Sequence, residues 1–145
     1  MENIMIPKAV FATLTSTSQK ALLSKVTPMY TKLYTHHVTL VYAPKDVDMK
    51  KLTAVVAEGQ SVVIKLGRRF WAKGVEAIEA KVFTQDGLEI PIKNEKPHIT
   101  ISTDNKPPVL SNDMLAGKGE FNDGFEGAQL VGGEYEATVE FVYKF

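Results

Sequence analysis

Apolar and polar residues alternate most regularly over Glu134–Phe145. Tyr135, Ala137, Val139, Phe141, Tyr143 and Phe145 fall on one side, with Glu134, Glu136, Thr138 and Glu140 on the other. That two-residue period predicts a half-buried strand. Strands are also predicted at Lys8–Thr13, Tyr34–Tyr42, Gln60–Leu66, Val75–Phe83 and His98–Thr103. In Val75–Phe83, Ile78, Ala80 and Val82 share a face, opposite Ala77, Glu79 and Lys81. Helical spacing replaces alternation in short stretches. Ser16 and Gln19 have capping-box spacing ahead of Ala21, Leu22, Leu23 and Val26, predicting a helix to about Val26, before Pro28. Asp46 or Asp48 is placed to cap a second helix, with Met49, Leu52, Val55 and Val56 on one face and an end near Gly59. After Pro107-Pro108, Ser111 or Asn112 opens a short helical turn ending near Gly117. The polar connector Thr84–Pro97 and the glycine-rich Gly117–Gly133 carry no clear period. With no low-complexity linker, residues 1–145 read as one α+β domain.

The strand order in sequence hints at a repeat. His37-Val38-Thr39-Leu40 is followed by Pro44 and then Asp48-Met49 at a helix start. His98-Ile99-Thr100-Ile101 is followed by Pro107 and then Asp113-Met114, again where a helix is expected. Two units with the same punctuation predict two related lobes.

Composition narrows the functional classes. The 145 residues carry 17 basic and 17 acidic side chains, which argues against binding nucleic acid by bulk charge. Zero cysteines excludes a disulfide framework, a cysteine metal site and a thiol nucleophile. No apolar run nears the roughly 20 residues that span a bilayer, and Met1-Glu2-Asn3-Ile4 does not resemble a signal peptide. A cytoplasmic location, without membrane association, is expected.

The chemistry lies in the histidines. Of three in the chain, His37 and His98 each have Thr at the second position following, Thr39 and Thr100. On a strand, residues i and i+2 share a face, so each His–Thr pair points one way and Val38, Leu40, Ile99 and Ile101 point into the core. Two imidazoles facing one substrate can divide acid and base work, and two hydroxyls can donate to anionic oxygens between them. That chemistry suits phosphodiester cleavage. A base–acid pair predicts a bell-shaped rate profile with both limbs in the neutral range. His36 leaves a regular strand on the opposite face from His37 and is expected to be structural.

These tetrads resemble the paired motifs of the 2H phosphoesterase superfamily. Pro97-His98-Ile99-Thr100-Ile101-Ser102-Thr103, with Pro107-Pro108-Val109-Leu110-Ser111-Asn112, is similar to the cyclic phosphodiesterase domain of fungal and plant tRNA ligases. His36-His37-Val38-Thr39-Leu40 fits the same branch. The resemblance implies a bilobal α+β fold, with two pseudo-symmetric antiparallel sheets flanked by helices around a cleft. It implies metal-independent hydrolysis of 2′,3′-cyclic phosphates with no cofactor, acid–base roles for His37 and His98, and phosphate binding by Thr39 and Thr100. The substrates implied are RNA ends or cyclic nucleotides, and a monomer is expected. Stand-alone phage members of the superfamily cleave cyclic oligonucleotide signals, a second enzymatic reading, and a non-catalytic RNA- or nucleotide-binding domain is a third. The chain has neither a Gly-x-x-x-x-Gly-Lys-Ser/Thr loop nor a Lys-x-Asp-Gly motif, so kinase and ligase chemistry are not expected of it.

Weaker candidates flank this core. Arg68-Arg69-Phe70-Trp71-Ala72-Lys73 mixes cations and aromatics as a single-strand groove does, which makes Arg69, Trp71 and Lys73 candidate substrate contacts. A solvated hairpin with one tucked aromatic is the alternative. Tyr34 and Tyr42 flank the first tetrad and suit core packing, and Tyr42 is also a candidate substrate contact.

Overall fold

The structure, a computed structural model, describes residues 6–94 and 96–144. Its elements run in the order β1 (Ala9–Leu14), α1 (Ser16–Lys25), β2 (Lys32–Leu33), β3 (His37–Tyr42), α2 (Asp46–Thr53), β4 (Ser61–Ala72), β5 (Val75–Thr84), β6 (His98–Thr103), α3 (Leu110–Ala116), a 3-10 turn (Gly119–Phe121), β7 (Gly127–Leu130) and β8 (Glu134–Val142). It is a small α+β domain dominated by antiparallel pairing.

The strands form one sheet, in the order β2-β6-β3-β1-β8-β4-β5, and β5 pairs again with β6. The strands β6, β3, β1, β8, β4 and β5 therefore close into a barrel, while β2 extends β6 and β7 pairs with β4. The two separate sheets that the family resemblance implies are joined here, with β4 and β5 long enough to belong to both halves. β4 runs for 12 residues, with its first part on β8 and its last part on β7. A register shift between Leu66 and Arg69 bends it there, as a bulge does. The predicted strand ended at Leu66 because Arg68 and Arg69 interrupt the apolar pattern. Closure of this kind removes exposed edges along the barrel.

The barrel interior is the main core. Val10, Ala12 and Leu14 meet Val38, Leu40, Ile64, Ile78, Ile99, Ile101, Ala137 and Val139 inside it, all buried. From α1, Leu22 and Val26 join this core, as do Leu52 and Val56 in and beyond α2. A second apolar cluster lies outside the barrel, where Met114, Leu115 and Phe121 cover Ala72, Val75 and Ala77. The tail stripe is confirmed through Ala137 and Val139, whereas Phe145 lies outside the described residues.

Helix starts differ slightly from the sequence reading. Thr15, not Ser16, caps α1: its hydroxyl accepts from the Ser18 N–H at 3.1 Å. Gln19 instead donates to the Leu14 carbonyl at 3.2 Å. Asp48 serves α2 from inside the first turn, accepting from the Lys45 N–H at 2.8 Å. α2 ends at Thr53, short of Gly59, where the Val55 and Val56 N–H groups share the Leu52 carbonyl. α3 ends as predicted at Gly117, whose φ of 66° is the left-handed C-cap conformation that glycine adopts without penalty.

One buried charge organises an end of the barrel. Glu76 is fully buried, and its carboxylate accepts from the Arg69 guanidinium, from the Ser102 hydroxyl at 2.5 Å and from the Met29 N–H at 3.0 Å. Arg69 also donates to the Thr27 carbonyl at 2.7 Å, so the pair pins the segment between α1 and β2 against the barrel. A buried carboxylate left without its cation is costly. Arg69→Met is expected to lose roughly 3–5 kcal/mol of stability, against less than about 0.5 kcal/mol for the exposed Arg68→Met. Chemical denaturation measures both. An Arg69→Met protein of unchanged stability but weakened nucleotide binding would return Arg69 to a substrate role.

Candidate active site

The two tetrads lie on neighbouring antiparallel strands. Val38 of β3 pairs with Ile99 of β6, and both side chains are fully buried in the barrel. The flanking residues then face outward, and the antiparallel register sets His37 across from Thr100 and Thr39 across from His98. Opposite Cβ atoms in such pairs lie about 4.5–5.5 Å apart. The result is a square of two imidazoles and two hydroxyls with like groups on the diagonals. All four line one cavity of about 680 Å³, closed on its sides by Phe11, Lys93, Asn94 and the start of α3.

The imidazoles are held differently. His37 stacks on Phe11, with ring centroids 3.7 Å apart and planes inclined by 14°. Burial, then the neighbouring His36, pushes its pKa down to about 4, against the opposing pull of Glu140. His98 is more deeply set, at 9% exposure. Burial lowers its pKa from the usual 6.5, and the hydrogen bond to the Lys96 carbonyl acts in the other direction. Both imidazoles are therefore neutral in the free protein at pH 7, and the limbs expected in the neutral range move to lower pH.

Ser111 is the residue that sequence reasoning passed over as a mere helix start. Its buried hydroxyl lies 2.7 Å from His98 Nε2 and 2.8 Å from Thr100 Oγ1, and it reaches the Pro108 carbonyl at 2.7 Å. The proton count is restrictive. The Lys96 carbonyl, 2.7 Å from His98 Nδ1, only accepts, so Nδ1 carries a hydrogen. When His98 is neutral, the single Ser111 hydrogen must go to Nε2. When His98 is charged, Nε2–H donates to Ser111, whose hydrogen turns to Pro108. Thr100 donates to Ser111 in both states. A serine here accommodates either charge of the imidazole without leaving a polar atom unpaired.

The other sequence candidates divide. Tyr42 lines the same cavity and is 67% exposed, so it is not a core residue. Tyr34 is half-buried beside β2. Arg69, Trp71 and Lys73 do not line this cavity. Arg69 is committed to Glu76, and its guanidinium lies 5.5 Å from the Trp71 ring. Trp71 packs on the backbone of Gly127, where an added Cβ would lie 2.1 Å from the indole. Lys73, in the tight β4–β5 turn, pairs with Asp123 at 3.2 Å and donates to the Glu120 carbonyl. His36 precedes β3 and is exposed. Among the described residues no three His, Asp or Glu side chains converge as metal ligands, and no helix is long and apolar enough to cross a membrane.

The family model described as the fungal tRNA ligase phosphodiesterase domain matches residues 5–140. The chain belongs to that family. As a member of the tRNA ligase phosphodiesterase family it carries both His-x-Thr tetrads inside the matched span. Its fold is similar to that of a solved structure described as a fungal RNA kinase, with a TM-score of 0.64 at 14% identity. The alignment covers 99% of this chain and 47% of that one, so the chain spans about half of the neighbour's length. No curated protein matches the chain.

Ser111→Ala tests the hydroxyl's role in this family member. The variant deprives charged His98 of its acceptor, so the rate limb belonging to His98 is expected to move to lower pH, with kcat down about 10–100-fold and KM little changed. Ser111→Thr should restore most of the rate. A pH profile unchanged by Ser111→Ala would reduce Ser111 to a packing residue.

Proposed function

We propose that this chain is a phosphodiesterase that hydrolyses 2′,3′-cyclic phosphates, on RNA ends or nucleotides, by acid–base catalysis between His37 and His98. The observation that carries this reading is the square on β3 and β6, which brings both tetrads to one cavity. Membership of a phosphodiesterase domain family supports it. In the reaction, water attacks phosphorus as one histidine takes its proton. The bond from phosphorus to one ribose oxygen breaks, and the other histidine protonates that oxygen; His98 works through Nε2, which turns from Ser111 to the substrate in the complex. A phosphomonoester and a free hydroxyl result. Thr39 donates to the phosphate oxygens as charge builds in the transition state, and Thr100 does so by turning its hydrogen from Ser111 to the phosphate. Tyr42 sits at the mouth, where a base or ribose enters.

Each turnover needs one neutral and one charged imidazole. Because His37 holds a pKa of about 4 and His98 lies below 6.5, a free protein in that condition exists only at acidic pH. The value of kcat/KM, which reports the free enzyme, is expected to peak below pH 6.5 and to fall both toward neutrality and toward strong acid.

Incubation with 2′,3′-cyclic mononucleotides, cyclic-phosphate-ended RNA and cyclic dinucleotides in excess chelator tests the proposal. Turnover of the first two is expected, with His37→Ala and His98→Ala each losing about 10³-fold or more and the double variant little beyond either single one. His36→Ala should stay within a few-fold. Turnover confined to the cyclic dinucleotides would assign a signal-degrading role, and binding without turnover would make this a nucleotide-binding domain. Activity lost in chelator and restored by a divalent cation would contradict the two-histidine mechanism.

A further inference from the structure

A second, larger cavity of about 920 Å³ lies on the outer face of β4 and β5, against the connector that leads to β6. Asn94 lines both it and the cavity around the tetrads, so the two are neighbours across one side chain. From this placement, which rests on the proposed phosphodiesterase function, we propose that the second cavity binds the nucleotides preceding a reacting RNA end.

Its charges are arranged against the needs of folding. Lys65 and Lys81 are directly opposite each other across the β4–β5 ladder. Like charges in that position destabilise a sheet, and an anion between them reverses the sign of the effect. Phe83 holds the Lys65 ammonium 4.5 Å above its ring, which keeps it over the cavity. Lys65 also pairs with Glu134 at 3.5 Å, both well exposed, an interaction that a phosphate can replace at little cost. Lys81 makes no ion pair with a described residue. Two carboxylates, Glu79 and Glu89, and a third lysine, Lys96, also line the cavity, with Glu89 bridged to Phe83 beside the Lys65 ammonium. The connector lines the cavity with the apolar Pro91 and Ile92, anchored by Ile90, which is buried in the barrel core. A wall that covers base faces beside paired ammonium groups suits a single strand, whose phosphates and bases alternate at close range. A cyclic mononucleotide fills only the first cavity.

Fluorescence anisotropy with a labelled RNA pentamer ending in a 3′-phosphate tests the site, alongside turnover of a 2′,3′-cyclic mononucleotide. Lys65→Gln/Lys81→Gln is expected to weaken pentamer binding about tenfold at moderate salt and to flatten its salt dependence, because contacts to two phosphates are lost. Mononucleotide turnover should stay unchanged, as neither lysine lines the cavity around the tetrads. Equal pentamer affinity in both proteins would overturn the proposal. So would an equal loss on the mononucleotide, which would make the lysines part of the reacting site. Pentamer binding that depends on the lysines in a protein with no mononucleotide turnover would support the groove and reject the phosphodiesterase reading, so the two can fail separately.

Discussion

Everything at the candidate site depends on the packing of Val38 against Ile99 inside the barrel. Both side chains are fully buried, and each belongs to a strand whose alternate residues carry the chemistry. Strand pleating converts that apolar contact into a constraint on polar groups: if Val38 and Ile99 point inward, His37, Thr39, His98 and Thr100 must point outward. A slip of one residue in either strand would bury a histidine and expose an isoleucine or valine. The hydrophobic free energy of the core therefore sets the geometry of the candidate site, and no polar interaction has to hold the two tetrads together.

Closure of the barrel adds the second constraint. β5 pairs with both β4 and β6, so the strand that carries the second tetrad is held on both sides. At one end of the barrel the Glu76–Arg69 pair ties β4 and β5 to the segment before β2, with Ser102 of β6 on the same carboxylate. Outside, α3 packs on β5 and brings Ser111 onto His98 and Thr100. The site is thus built on rigid strands and completed by one hydroxyl from a short helix.

The sequence made the local half of this legible. Alternation at His37–Leu40 and His98–Ile101 was enough to place two His–Thr pairs outward, and His98–Thr103 is a strand with the expected bounds. What required long-range contacts was hidden. Glu76 falls on the apolar face of its strand, and Arg69, Ser102 and the Met29 N–H, which make its burial tolerable, come from other segments of the chain. Arg69, Trp71 and Lys73 lie away from the cavity around the tetrads, and their contacts with Glu76, Gly127 and Asp123 depend on segments that the run itself does not record. Ser111 is small and polar, and its partners lie 11 and 13 residues away. The joining of two predicted sheets into one barrel depends on strand register, which no local pattern records.

If the proposed function holds, both tetrads serve one ligand. Histidine-selective ¹⁵N NMR during titration with adenosine 2′-phosphate and with adenosine 3′-phosphate, the two monoesters that opening of a 2′,3′-cyclic phosphate yields, tests this most directly. The ring nitrogens of His37 and His98 should shift together along a single binding curve, each toward its protonated form as the phosphate dianion offsets the cost of burial, while His36 stays fixed. A response from one of the two alone, or from His36 as strongly as from His37, would contradict the shared site and the register beneath it.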